Sequence, residues 1–75
     1  MTRTMARKVA SAIRNEFKVN VDYQEWTNIF NLELEKEVNE MSLYNFVMGF
    51  VAREFGLNPK DEVEVESGES VTIYK

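Results

Sequence analysis

The chain has no cysteine and no histidine. The first absence excludes disulfide staples and thiolate metal sites. The second removes the side chain that most often moves protons near neutral pH. Proline occurs once and glycine three times. Gly49, Gly56 and Gly68 stand singly, so there is neither a phosphate-cradling loop nor a dinucleotide fingerprint. None of Ser11, Ser42, Ser67 or Ser70 lies in a nucleophile-elbow pattern. A general base would have to be Asp, Glu or Lys. No enzymatic activity, cofactor or bound metal is expected.

Long apolar runs are also lacking. The best candidate, LYNFVMGFVAREF, is interrupted by Arg53 and falls short of a membrane span. The opening MTRTMARKVASAIRNEF has no continuous apolar stretch, so it does not read as a secretory signal. Arginine-rich and nearly acid-free, it shares that composition with mitochondrial presequences, but its apolar spacing reads as an integral first helix. The expected setting is a reducing cytoplasm.

What the chain does have is a core. Hydrophobic residues make up 44% and aromatic residues 12% of its 75 residues, which suits one folded domain spanning residues 1–75. That length is near the lower limit for self-sufficient folding. Stability must come from apolar packing, self-association or a partner.

Charge is unevenly distributed. Residues 1–18 carry five bases against one acid, a balance of +4, while residues 19–75 carry four bases against twelve acids, a balance of −8.

Apolar residues Met5, Ala6, Val9, Ala10, Ile13 and Phe17 form one helical stripe over residues 4–18. The β-branched VNV at 19–21 predicts a short strand. Asp22 with Glu25 forms a capping-box-like pair, and Val21 with Trp26 occupies the staple positions. A long second helix is expected from there, with Tyr23, Trp26, Phe30, Leu34, Val38 and Met41 on one face and Leu32 turned outward. Phe30, Leu32 and Leu34 also alternate as a strand would; the helix formers Glu, Leu and Lys, and the lack of a turn signal before residue 30, favour the helix. Ser42 is the expected cap of a third helix over 43–55, stopped by Gly56 and Asn58-Pro59. A close helix–helix approach would account for Gly49 within it.

The tail DEVEVESGESVTIYK reads as a β-hairpin. A two-residue turn would put apolar and polar side chains on one face. A three-residue loop, Ser67–Glu69, pairs Val65 with Val71 and Val63 with Ile73, and sets Glu62, Glu64 and Glu66 outward with Ser70, Thr72 and Tyr74.

The resulting fold class is α+β, three helices with a C-terminal hairpin in the order α-β-α-α-β-β. That order resembles the winged helix, and EVNEMSLYNFV resembles the opening of its recognition helix. The resemblance implies a DNA-binding regulator acting as a dimer, with Arg3, Arg7, Lys8, Arg14 and Arg53 at the phosphate backbone. Phosphate neutralisation supplies most of such affinity. Here the third helix offers only Arg53, countered by Glu54, and the hairpin is acidic, so charge weighs against direct nucleic-acid contact.

Glu33, Glu37 and Glu40 recur at a spacing that could gather a hard cation on one helix face, although a solvated acidic face explains them better. The acids of the hairpin, Glu62, Glu64, Glu66 and Glu69, together with Glu33 and Glu37, are the expected partner-contacting set. Regularly spaced carboxylates can compete for a groove meant for phosphates and steer a basic protein. Glutamates that merely guard a sheet edge are the plainer explanation of the hairpin. A homo-oligomeric structural subunit, burying the outward Leu32, is a further expectation.

Overall fold

The computed structural model describes all 75 residues, Met1–Lys75. The first helix, α1 (Arg3–Phe17), buries the stripe Ala6, Val9, Ala10 and Ile13. The Thr2 hydroxyl caps it by accepting from the Met5 N–H, and Lys18 ends it in the left-handed conformation at φ 57°.

The segment after α1 departs from expectation. Residues 19 and 20 are not in a strand, and the long second helix is a β-hairpin of β1 (Val21–Glu25) and β2 (Ile29–Leu34). The turn between them is Thr27-Asn28, closed by the Trp26 N–H donating to the Ile29 carbonyl at 2.9 Å. Asp22 and Glu25 are therefore strand residues, not a capping pair. Leu32 is 0% exposed in the core, so the outward leucine expected to seed self-association does not exist. The alternation of Val21 and Tyr23, then Phe30, Leu32 and Leu34, is what the sheet uses.

Next come α2 (Glu40–Phe55), α3 (Pro59–Glu62), β3 (Val63–Glu66) and β4 (Ser70–Tyr74). Helix α2 begins earlier than expected because Asn39, not Ser42, is its cap: Asn39 Oδ1 accepts from the Ser42 N–H at 2.9 Å. Gly56 closes it at φ 65°, the left-handed stop its position suggests. Gly49 is not a point of helix–helix approach. The guanidinium of Arg53, one turn on, lies against it.

The fold is α+β: three helices and a four-stranded antiparallel sheet, in the element order α-β-β-α-α-β-β and the strand order β1-β2-β4-β3. The C-terminal hairpin has the expected register, Val65 opposite Val71 and Val63 opposite Ile73 around Ser67–Glu69. The winged-helix order survives only as a frame, helix first and hairpin last. Residues expected to supply the second helix of a helix-turn-helix pair are β-strands.

One cluster of 14 buried residues joins α1 and α2 to a single sheet face, that of Val21, Phe30, Leu32, Leu34, Val63, Val71 and Ile73. Both long helices thus cover one side of the sheet. The other side carries no helix.

Candidate functional site

Side chains alternate across a strand, so every second residue belongs to the helix-free face. Register then sorts that face into rows crossing the sheet. One row runs Asp22, Glu33, Ser70, Glu66, and the next runs Gln24, Asn31, Thr72, Glu64. Neighbouring strands are about 4.8 Å apart, and rows on one face about 6.6 Å. Carboxylates from β1, β2 and β3 are therefore fixed on one rigid surface. None of these positions holds a lysine or arginine.

The structure brings together Glu33, Glu64 and Glu66 of the expected set. Glu33 arrives by a different route, on a strand. Glu37 lies in the β2–α2 connection and Glu69 in the β3–β4 loop. These two segments are laced by backbone bonds, Leu34 N–H to Glu69 O at 2.7 Å and Val38 N–H to Gly68 O at 2.9 Å. Both acids therefore sit at the Asp22–Glu33–Glu66 end of the sheet. Glu62 does not join them. It lies in α3, with Oε1 3.4 Å from the Met1 amine.

Asp22 belongs to the face but was expected to be a helix cap. The signal that places it is the alternation of Val21 and Tyr23 around it. A recess of about 440 Å³ opens at this end, lined by Asn20, Val21, Asp22, Glu33, Leu34 and Glu35. Its three carboxylates suit an ammonium or guanidinium group. No set of three carboxylates is gathered closely enough to hold a metal ion. Glu33, Glu37 and Glu40 fall on a strand, a connection and a helix start, so they share no helix face.

Asn31 is the one buried polar side chain of the core-bounding strands, and its amide donates to Glu33 at 3.4 Å. Tyr74 donates its phenol to both Glu64 oxygens, at 3.3 and 3.2 Å. Partial burial, then that bond to Glu64, raises the phenol pKa above its ordinary value.

Four of the nine basic residues make hydrogen bonds, ion pairs or ring contacts within the molecule. Arg3 forms a paired contact with Glu25 at 2.7 and 3.1 Å, and Lys75 reaches the same carboxylate at 2.9 Å. Hydrogen bonds from Arg3 and then Lys75 hold the Glu25 carboxyl down to about 2, and Arg3 is raised in turn by its bond to Glu25. Arg14 donates to the Val21 carbonyl at 2.7 Å, and Arg7 lies 5.5 Å over the Tyr23 ring. Lys8 remains exposed, beside Arg7 in a groove between α1 and α2 that Glu54 also lines. Arg7 also lines a second groove with Arg14 and Tyr23, while Arg53 lies on α2 against Gly49.

No helix is long and apolar enough to cross a membrane. No protein-family model, curated protein or solved structure matches this chain.

Proposed function

We propose that the protein is a small, non-enzymatic protein-binding regulator or inhibitor acting in the cytoplasm. Its helix-free sheet face would engage a basic site on a nucleic-acid-handling protein, taking the place that phosphates occupy there. One observation carries this reading: Asp22, Glu33, Glu64 and Glu66 converge from three strands onto one open face without a compensating base.

Edge protection explains part of that acidity. Asp22 is on β1 and Glu64 and Glu66 are on β3, the two outer strands, where charge blocks sheet-to-sheet pairing. Glu33 is on the interior strand β2, hydrogen-bonded on both sides, and guards no edge. Its presence favours a surface built to be acidic. Such a surface accelerates encounter with a basic partner and makes binding salt-dependent. The DNA-binding reading is weakened because Arg3 is ion-paired with Glu25 and the C-terminal hairpin is acidic.

The test is affinity capture from an extract of the source cells, with identification by mass spectrometry at low and high salt. A triple variant, Glu33→Lys, Glu64→Lys, Glu66→Lys, is run beside the parent protein. The expected result is a basic nucleic-acid-handling protein captured by the parent at low salt and lost in both other conditions. Equal capture by a variant with a native circular-dichroism spectrum would overturn the reading.

A further inference from the structure

We infer that the acidic face carries its own aromatic anchor, the row Trp26–Ile29–Tyr74, which docks into an apolar recess on the same basic partner. This inference rests on the protein-binding reading above and specifies the surface that the partner must present.

The row follows from register. Ile29 stands opposite Tyr74, and the Trp26–Ile29 hydrogen bond continues the β1–β2 ladder by one pair. Residues opposite one another share a face, so Trp26 joins Ile29 and Tyr74 on the side without helices. Trp26 is 51% exposed and Tyr74 41% exposed. Ile29 is half-buried yet stands outside the core cluster. None of the three is needed to fill the interior.

Turns are ordinarily made of small polar residues. A tryptophan exposing half its surface at one, beside a tyrosine, has the composition of an interface hot spot. An apolar patch bordered by polar groups marks a contact surface. Here the border is specific, because Asp22, Glu33 and Ser70 each lie four residues along their own strands from Trp26, Ile29 and Tyr74 respectively. At ~3.3 Å per residue the anchor and the carboxylate row are about 13 Å apart. The partner must therefore place an apolar recess about that far from the bases that meet the Asp22–Glu33–Glu66 row, while Glu64 lies at the anchor itself. The bond from the Tyr74 phenol to Glu64 fixes the ring across the face, which lowers the ordering cost of docking. Exposed aromatics on a sheet also stack nucleic-acid bases, but here Glu64 holds the Tyr74 phenol and the adjacent Arg3 and Lys75 are paired with Glu25.

Trp26 is the sole tryptophan, so its fluorescence reports the anchor alone. Two synthetic peptides of equal positive charge serve as probes. One is built of Lys and Gly only; the other carries a Leu-Phe pair about four extended residues from its lysine cluster. A single-stranded oligonucleotide is the third probe. Both peptides should bind at low salt and be released at high salt. Only the Leu-Phe peptide should shift Trp26 emission to the blue and shield it from acrylamide.

That peptide should also dissociate more slowly, and Trp26→Ala should weaken it roughly tenfold or more with its salt dependence unchanged. Tyr74→Ala should act in the same direction. If both peptides bind with the same affinity, or both alanine variants keep the parent dissociation rate while salt-dependent binding persists, the anchor is wrong and the acidic reading stands. If neither peptide binds at low salt, the acidic reading fails and the anchor with it. Quenching of Trp26 by the oligonucleotide would overturn the inference in favour of base stacking.

Discussion

Asp22 and Glu33 stand directly opposite each other on neighbouring strands of the helix-free face. Like charges so placed destabilise a sheet by about 0.2–1 kcal/mol. Neither has a base beside it; the nearest help to Asp22 is the exposed Gln24 amide at 3.3 Å. Asp22→Asn should therefore raise the thermal midpoint by a few degrees at low salt. In ~1 M salt, where the screening length falls to about 3 Å, the gain should nearly vanish. Calorimetry at the two ionic strengths checks it, and a lower midpoint for the variant would show that the carboxylate stabilises the fold. If the face engages a basic partner as proposed, the same substitution should weaken that capture, since the repulsion comes from concentrating negative charge there.

Glu25 predicts the acid limb of stability. Its carboxyl is held at about 2, against an ordinary 4.5, by Arg3 and then Lys75. A carboxyl depressed on folding stabilises the native state above its unfolded value, and that contribution is lost as pH falls toward the folded one. The loss from this group should thus fall between about pH 4.5 and pH 2. Glu25→Gln should melt lower than the parent at pH 7, and the two curves should converge near pH 2. Parallel curves across that window would show that the Arg3–Glu25–Lys75 contact contributes nothing.

Much of the fold was legible where one periodicity stood alone. The α1 stripe, the Gly56 stop and the valine alternation of the C-terminal hairpin each fit a single template, and even the loop length followed from which face the valines must occupy. Residues 21–41 fit two templates. Tyr23, Trp26, Phe30 and Leu34 step like a helix, while Phe30, Leu32 and Leu34 alternate like a strand. The strand wins through a partner remote in sequence. A lone β3–β4 hairpin is marginal in water, and β2 completes it by pairing Leu32 with Val71 and Phe30 with Ile73. No local signal announces that pairing, and the Thr27-Asn28 turn contains neither glycine nor proline. Accumulated charge in the sequence points to an acidic surface, and register places Glu33, Glu64 and Glu66 on one face of the sheet. The helix reading makes Asp22 a cap and Trp26 a staple, and so hides that both belong to that face.

Tyr23 offers a test of packing on the covered face. Its ring stacks on Phe30 at 5.9 Å, but its phenol oxygen is buried without a well-formed hydrogen bond, with the Arg3 guanidinium nearby. An unsatisfied buried polar group costs about 1–3 kcal/mol, part of which removal of the group restores. Tyr23→Phe keeps the stack and deletes the orphan. Stability should hold or rise by up to about 1 kcal/mol, read as a shift in the urea midpoint at constant slope. A loss of that size would mean that the hydroxyl finds a partner in solution.

Two glycine-to-alanine substitutions should act with opposite signs. A Cβ on Gly68 would fall 1.7 Å from the Val38 carbonyl oxygen, and backbone lies on both sides of that contact. Accommodating it means separating the Ser67–Glu69 loop from the β2–α2 connection and breaking the bond from the Val38 N–H to the Gly68 carbonyl. Overpacking of this kind costs about 1–3 kcal/mol. The left-handed residue of that loop is Ser67, at φ 52°, so Gly68 is required for proximity and not for its dihedral freedom. A Cβ on Gly49 would meet only the tip of the Arg53 side chain, at 2.8 Å, and a guanidinium on a flexible stem can swing aside. Gly49→Ala should then gain up to about 1 kcal/mol of helix propensity. Paired denaturation curves decide the matter: loss at 68 with gain at 49 supports both placements, whereas a neutral Gly68→Ala would mean that the loop does not lie against Val38.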